Sequence, residues 1–310
     1  MGMGRQVVEV RPHGWLRTLP LVMLLAAAGC SGVWSPTGEA VVDIATTLAD
    51  PTNGISQEIA DVGAFVFIST AASKALSEAR SRGMTFSAGP LLYMRDRFDQ
   101  GKFVWNPSAG AYEVTETSLP VSAGDASGTL TNIYFTVSFF TSGDTSGTSV
   151  QLTNPSAGLA SNAGTVRSMK YHREVSGTVT DSRTGVTRAF SPPATTDLIV
   201  RWSDGASLSV EGTHSRTFTH SFPDGRTTSG TISLTVPPDL VVSCAQRPDF
   251  SYIVIEDGTI TGTYDAIVSR ADGTTQDMTK TTSMEFDRSE TAFVSVVGLS
   301  VRVNLLTGRM

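Results

Sequence analysis

Several features that define common protein classes are scarce in this sequence. It has only 2 cysteines in 310 residues, which excludes a scaffold of several disulfides and a C-x-x-C metal or redox site. Charged residues make up 17% of the chain, the formal net charge is −6, and basic residues form no cluster. Nucleic acid is therefore not expected as a partner. Beyond the N-terminal segment, no apolar stretch reaches the roughly 20 residues of a membrane-spanning helix.

The N-terminal segment has the most specific pattern in the chain. Three arginines and one glutamate within the first 17 residues precede an apolar run from Leu19 to Ala28. That run of about ten residues has the length of a signal-peptide core and is too short to span a bilayer. It ends in Ala27-Ala28-Gly29-Cys30.

This ending resembles the lipobox of bacterial lipoproteins, in which small residues precede an obligatory cysteine that carries diacylglycerol. The third position before the cysteine is usually leucine in that family and is Ala27 here. The resemblance implies that residues 1–29 are a signal peptide and that Cys30 is lipidated, with palmitate-type chains, and becomes the new N-terminus. The alternative is an ordinary signal peptide cleaved at an A-x-A site such as Ala26-Ala27-Ala28, with Cys30 merely nearby.

Lipidation at Cys30 would decide where the protein resides. Mature lipoproteins of this family carry two or three acyl chains, and two chains suffice for stable anchoring. Ser31 follows the cysteine in place of the aspartate that favours the inner membrane in enteric-type bacteria. The resemblance therefore implies the outer membrane, with the protein facing the periplasm or the cell surface. Because Cys30 would be acylated, Cys244 has no intramolecular partner and we expect no disulfide.

The mature part is predicted to be one β-rich domain with a helix at its start. Residues 30–37 are expected to be the lipidated cysteine and a tether, and residues 38–310 a single domain with a possible subdivision near 154–164. Apolar residues recur at helical spacing from Ile55 and Ile59 onward, which predicts a long helix over about 55–82. A break of this helix into two near Ser69 stays open.

From Phe86 onward the apolar pattern has period two, which is typical of antiparallel strands with one wet face. The clearest runs are Ile133–Phe139, Ser207–Glu211, Ile232–Val236 and Val297–Leu305. We predict a mainly β fold, in which an antiparallel meander forms a curved sheet or a partly closed barrel or sandwich, with the N-terminal helix packed on it.

Turn signals separate these runs. Asp204-Gly205, Asp224-Gly225, Asp257-Gly258 and Asp272-Gly273 are hairpin-type dipeptides. Longer turns are expected at 106–110 and 181–185. Their spacing predicts about eight to twelve strands joined locally.

Candidate catalytic residues form no recognisable motif. Gly143-Asp144-Thr145-Ser146-Gly147 has the residue types of a serine-protease signature in the wrong arrangement and is interpreted as a polar turn. His172-Arg173-Glu174 is interpreted as a solvated charged patch. No metal ligands, cofactor or catalytic residues are predicted, and Cys244 is expected to be a small buried apolar residue.

Two further histidines, His214 and His220, lie six residues apart in a predicted strand. The even spacing places both on one face. With an acidic residue in the next turn they are a conceivable metal site, but about 20 Å of strand separates them. They are therefore interpreted as surface histidines on a wet face.

Aromatic residues cluster between Phe86 and Tyr112 and again at Tyr134–Phe140. They predict core packing between the helix and the sheet, or alternatively the lining of an apolar cavity. Three functions stay open: a non-enzymatic structural or interaction lipoprotein of the cell envelope, a carrier of a lipid or other apolar ligand, and an envelope hydrolase with a dispersed site. The first is preferred, with the membrane as partner through the lipid and an envelope protein or apolar ligand as a further partner.

Overall fold

The computed structural model describes part of the chain. The described residues are Ile55, Ile59, Arg97, Phe98, 100–123, 126–153, 165–202, 207–246, 251–286, Arg288, 291–296 and 299–304. All of them belong to the second of the two compact units into which the chain divides, Ser35–Met310. The signal peptide, Cys30, the tether and the 154–164 segment lie outside the described residues and stay predictions.

Twelve strands form one antiparallel sheet, which confirms the predicted mainly β meander. Their bounds are β1 Val104–Asn106, β2 Ala111–Ala123, β3 Ala126–Phe140, β4 Ser168–Asp181, β5 Thr187–Trp202, β6 Ser207–Ser221, β7 Thr227–Gln246, β8 Ser251–Asp257, β9 Thr259–Ser269, β10 Thr275–Phe286, β11 Thr291–Val296 and β12 Leu299–Asn304. The end strands β1 and β12 each pair with a single neighbour, so the sheet is not closed.

Each strand pairs with the next in the chain, with one exception at β7, β8 and β9. β8 pairs with residues 241–246 of β7, and β9 pairs with residues 227–235 of the same strand. Asp257-Gly258 therefore does not form the predicted hairpin, because β8 and β9 run in line along one edge of β7. Gly258 joins them with a φ of +108°, and a Cβ there would lie 2.9 Å from the Leu240 Cα. Only glycine fits this junction without strain.

The remaining described turns follow the sequence signals. Asp224-Gly225 joins β6 to β7 and Asp272-Gly273 joins β9 to β10, and both glycines have a φ of +84°. The longer turns at 106–110 and 181–185 join β1 to β2 and β4 to β5. These confirm the turn predictions, whereas Asp204-Gly205 lies outside the described residues.

One face of the sheet carries the hydrophobic core, and the alternation of the sequence sets it. In β3, Ile133, Phe135, Val137 and Phe139 are buried, and the intervening residues are partly exposed. Residues of the first hairpins join this core, and the Phe98 ring stacks on Phe103 at a centroid distance of 4.2 Å. The aromatic cluster is therefore core packing in the described part of the chain.

The predicted N-terminal helix is described at only two positions. Ile55 and Ile59 are helical and fully buried, and they belong to the same core cluster as the sheet. The rest of 55–82 lies outside the described residues, so the helix stays a prediction. Arg97 and Phe98 are also helical, and the described strands begin at Val104, later than the predicted start at Phe86. Among the described residues, no helix has the length and apolarity to cross a membrane.

Candidate functional site: two faces of one sheet

The buried face of the sheet contains a group of basic side chains that we call the inner basic cluster. It consists of Arg173 on β4, Arg188 on β5, and His214, Arg216 and His220 on β6. All five are at least 92% buried, and Arg216 has no exposed surface. Burial of a charged group is costly unless polar or aromatic partners surround it, so the contacts of this cluster decide its role.

Aromatic rings and hydroxyls of neighbouring strands contact the cluster. The Arg216 guanidinium lies 4.4 Å from the centre of the Phe190 ring, within the range of a cation–π interaction. Arg188 Nη2 lies 3.9 Å from the Asp181 carboxylate. Thr196 Oγ1 and His214 Nδ1 are hydrogen-bonded at 2.8 Å. The cluster is therefore integrated into the core.

Burial keeps the imidazole of His214 neutral. Desolvation, followed by the positive charges of Arg216 and Arg173, lowers the pKa of His214 from 6.5 to about 3. Its Nε2 makes no hydrogen bond. A base with so low a pKa is protonated only in strong acid, so His214 is poorly suited to proton transfer near neutral pH.

Two interpretations from the sequence are corrected here. His214 and His220 lie on one face, as the even spacing predicts, but that face is the buried one and not the wet one. Phe218 between them is also buried, which shows the phase of the strand. In the His172-Arg173-Glu174 patch the outer two residues are partly exposed, whereas Arg173 is buried. Alternation places Arg173 inward because it follows the same phase as Tyr171 and Val175.

The opposite, outer face of the sheet divides into two parts of different chemistry. Around His172 on β4 and around Asp197 and Arg201 on β5 it carries charged residues in direct contact. His172 Nδ1 lies 2.7 Å from the Asp197 carboxylate and its Nε2 lies 3.4 Å from Glu174. Arg201 Nη2 lies 2.6 Å from Glu211 on β6. We call this part the charged half.

On β6, β7, β9 and β10 the outer face is composed almost entirely of serine and threonine. Five rows of cross-strand neighbours cover it, and we call them the hydroxyl array. The rows are Thr213–Thr235–Thr261–Ser283, Ser215–Ser233–Thr263–Thr281, Thr217–Thr231–Asp265–Thr279, Thr219–Ser229–Ile267–Asp277 and Ser221–Thr227–Ser269–Thr275. Every side chain in these rows is exposed or partly exposed.

Sheet geometry sets the spacing of the array. Neighbouring strands lie about 4.8 Å apart, and alternate residues of one strand lie about 6.7 Å apart. Two pairs of hydroxyls bond to each other, Thr217 to Thr231 at 3.3 Å and Thr219 to Ser229 at 3.2 Å. In the described part of the chain, the other hydroxyls of the array make no hydrogen bond to protein. They are therefore available to a partner or to water.

An open groove lies beside the array, where β5 ends and β6 begins. Its volume is about 510 Å³ and it is lined by Gly143, Arg167, Arg201, Trp202, Ser207, Leu208, Ser209 and Val241. The Arg201 side chain donates to the Gly143 carbonyl at 2.9 Å and so holds the 143–147 turn against the strands. That segment is a bend after β3 in which Asp144 accepts hydrogen bonds from Ser146, as the polar-turn interpretation predicts.

The other candidate residues give no further site. Cys244 lies in β7 opposite Ile253, and its side chain is outside the described part of the structure. Within the described ranges, no three metal-ligating side chains come together. Neither the inner basic cluster nor the hydroxyl array was predicted from the sequence. The alternation along β6 contains a signal for the cluster, whereas the array depends on the register of four strands. Comparisons with protein-family models, with curated proteins and with solved structures find no match to this chain.

Proposed function

We propose that this protein is a non-enzymatic lipoprotein of the bacterial cell envelope that is anchored through Cys30, in the outer membrane, and uses its hydroxyl array to hold another component of the envelope. The lipobox-type ending at Cys30 supports the anchor, and Ser31 after the cysteine supports the outer membrane. The observation that carries the interaction role is the array itself, an exposed field of hydroxyls on four adjacent strands.

Exposure and hydrogen bonding support the array as a contact surface. A hydroxyl group is both a donor and an acceptor, so a field of them can pair with a partner that presents either kind of group. Because most of these hydroxyls make no bond to protein in the described structure, they contribute little to the fold. Their regular rows present many weak contacts at once, which together provide affinity.

The chemistry of the inner face favours the interaction role over the carrier role. Arg173, Arg188 and Arg216 lie among the apolar residues of that face. An apolar ligand placed against them would leave guanidinium groups in contact with hydrocarbon, which is unfavourable. A hydrolase would need convergent groups with pKa values near the working pH. Burial lowers the pKa of His214 to about 3, so this residue is unsuited to that role.

The anchor and the contact surface are tested in the cells that naturally make the protein. Metabolic labelling with a palmitate analogue is expected to mark the wild type and not Cys30→Ala, and label on both variants would contradict the anchor.

For the surface, Ser233→Cys in the array and Ser127→Cys on β3 are compared in a Cys244→Ser background. A bound component should slow maleimide labelling at position 233 in intact envelopes relative to purified protein, but not at 127. If the labelling rate in intact envelopes, relative to purified protein, were the same at both positions, the contact surface would be contradicted.

A further inference from the structure

The hydroxyl array differs from an ordinary wet sheet face in its charge. Its five rows contain no lysine or arginine, and Asp265 and Asp277 are its only charged residues. The charged half, on the same face, contains ion pairs such as Arg201–Glu211. A partner of the array therefore meets a surface that is neutral over most of its area and mildly acidic in the third and fourth rows, on β9 and β10.

Three classes of partner fit this surface poorly. Nucleic acid and phosphate-rich polymers need cationic groups that the array lacks. A stable protein interface has an apolar and aromatic centre, and the array has a single exposed apolar residue, Ile267, at 50% exposure. A lipid surface would need an extended apolar or basic face. What remains is a partner that is itself rich in hydroxyl groups.

We propose that the partner is an uncharged polysaccharide. Sugar hydroxyls donate and accept in the same way as serine and threonine, so each ring finds complementary groups at the spacing of about 4.8 Å between strands. Ile267 supplies an apolar contact for the C–H face of a ring. Asp265 and Asp277 repel acidic sugars, which excludes uronate and phosphate polymers at physiological pH. This inference rests on the proposed contact role of the array and gives that partner its chemical class.

The proposal is tested by titrating the full chain, purified from membranes in mild detergent, with defined hexasaccharides. The uncharged probes are cellohexaose and chitohexaose, and the acidic probe is a galacturonate hexamer. We expect at least one uncharged probe to bind the wild type at least about tenfold more tightly than the acidic probe, a difference equivalent to about 1.4 kcal/mol.

Two variants with the same kinds of substitution locate the binding. The row variant is Ser215→Ala, Ser233→Ala, Thr263→Val and Thr281→Val. The control is Ser118→Ala, Ser127→Ala, Thr129→Val and Thr178→Val, all exposed positions on β2, β3 and β4. The row variant should lose at least about tenfold in affinity and the control less than about twofold. Thermal unfolding of both variants checks that each variant is folded.

A separate pair of substitutions tests the role of charge. Asp265→Asn with Asp277→Asn should reduce the difference in affinity between the uncharged and the acidic probes. The affinity for the uncharged probes should stay the same. Failure of both uncharged probes to bind, or equal binding by the row variant, would overturn the proposal. Equal affinity of the wild type for the acidic probe would also overturn it. The labelling of position 233 in intact envelopes does not depend on these sugars. It therefore tests the contact role of the array even if no sugar binds.

Discussion

The two faces of strand β6 differ sharply in their chemistry. Its inward residues include His214, Arg216 and His220, each at most 2% exposed. Its outward residues between them are serines and threonines that are exposed or partly exposed. Between residues 214 and 220 the strand thus carries two histidines and an arginine on its buried face and only hydroxyl side chains on its wet face. The inner polar groups are part of the packed core, whereas the outer hydroxyls are exposed, which is the basis of the interaction role that we propose for them.

Among substitutions on the two faces, the largest loss of stability is expected at Arg216. Arg216→Ala removes a fully buried side chain that packs on Phe190, and we expect a loss of about 3–5 kcal/mol in the free energy of unfolding. Its matched control is the next residue on the opposite face, Thr217→Ala, for which the loss should be under about 0.5 kcal/mol. Urea denaturation of both variants measures the contrast. Similar losses at the two positions would refute the division between the faces.

The pH dependence of stability is expected to report on His214. Its pKa is about 3 in the folded protein and about 6.5 when unfolded. Above pH 6.5 the residue is neutral in both states and contributes no pH dependence. As the pH falls below 6.5, His214 becomes protonated in the unfolded state but stays neutral in the folded state. Stability should therefore fall by up to about 1.4 kcal/mol per pH unit.

The window from pH 6.5 to 4.5 separates this effect from acid titration. Hydrogen bonds from neighbouring backbone and side chains lower the pKa values of Asp144 and Asp272, so these carboxylates affect stability only at lower pH. His214→Gln removes this titrating group and should make the fall of stability with decreasing pH less steep in this window. Parallel profiles for wild type and His214→Gln would show that His214 is not the source.

A smaller effect is expected from a pair of tyrosines on the two faces. The buried Tyr112 hydroxyl accepts a hydrogen bond from the Leu152 amide at 2.8 Å and donates to its carbonyl at 3.4 Å. Tyr112→Phe leaves this backbone without its partner and should cost about 1–2 kcal/mol. The partly exposed Tyr134 bonds to Glu113 at 3.4 Å, and Tyr134→Phe should cost under about 0.5 kcal/mol. Thermal unfolding compares the two, and the reverse order would contradict the assignment of the faces.

The smallest effect is expected within the hydroxyl array. Thr217→Val with Thr231→Val removes one of the two hydroxyl pairs of the array. Because both residues are partly exposed and valine suits a strand, stability should change by less than about 0.5 kcal/mol in either direction. A loss above about 2 kcal/mol by urea denaturation would show that the array is needed for the fold.

The sequence predicted the buried face of a strand correctly where the alternate residues are apolar, and incorrectly where some of them are polar. In β3 the inward residues are all apolar around Phe135, and the strand and its buried face were predicted correctly. In β6 the same phase runs from Leu208 and Val210 through His214 and Arg216 to Phe218. The polar residues hid the phase, so both histidines were assigned to the wrong face. Counting alternate positions from Val210 would have found them.

The candidate site was beyond prediction for a different reason. Each strand alone shows only alternating serine and threonine, and the array exists because four strands align them in register. The pairing of β8 and β9 with one strand was also unpredicted, since Asp257-Gly258 has the residues of a hairpin. Pro237 and Pro238 fall between the two stretches of β7 that pair with β8 and β9. Proline lacks an amide donor, which interrupts a strand ladder.

Threonine methyl groups report directly on whether the hydroxyl array is the contact surface. In the full chain with ¹³C-labelled threonine methyls, cellohexaose or chitohexaose is added and the methyl shifts are followed by NMR. We predict shift changes confined to array threonines such as Thr235 and Thr263, with the inward-facing Thr196, Thr228 and Thr282 unchanged. Changes at these buried threonines, or at Thr129 and Thr178 alone, would contradict the claim that the hydroxyl array is the contact surface.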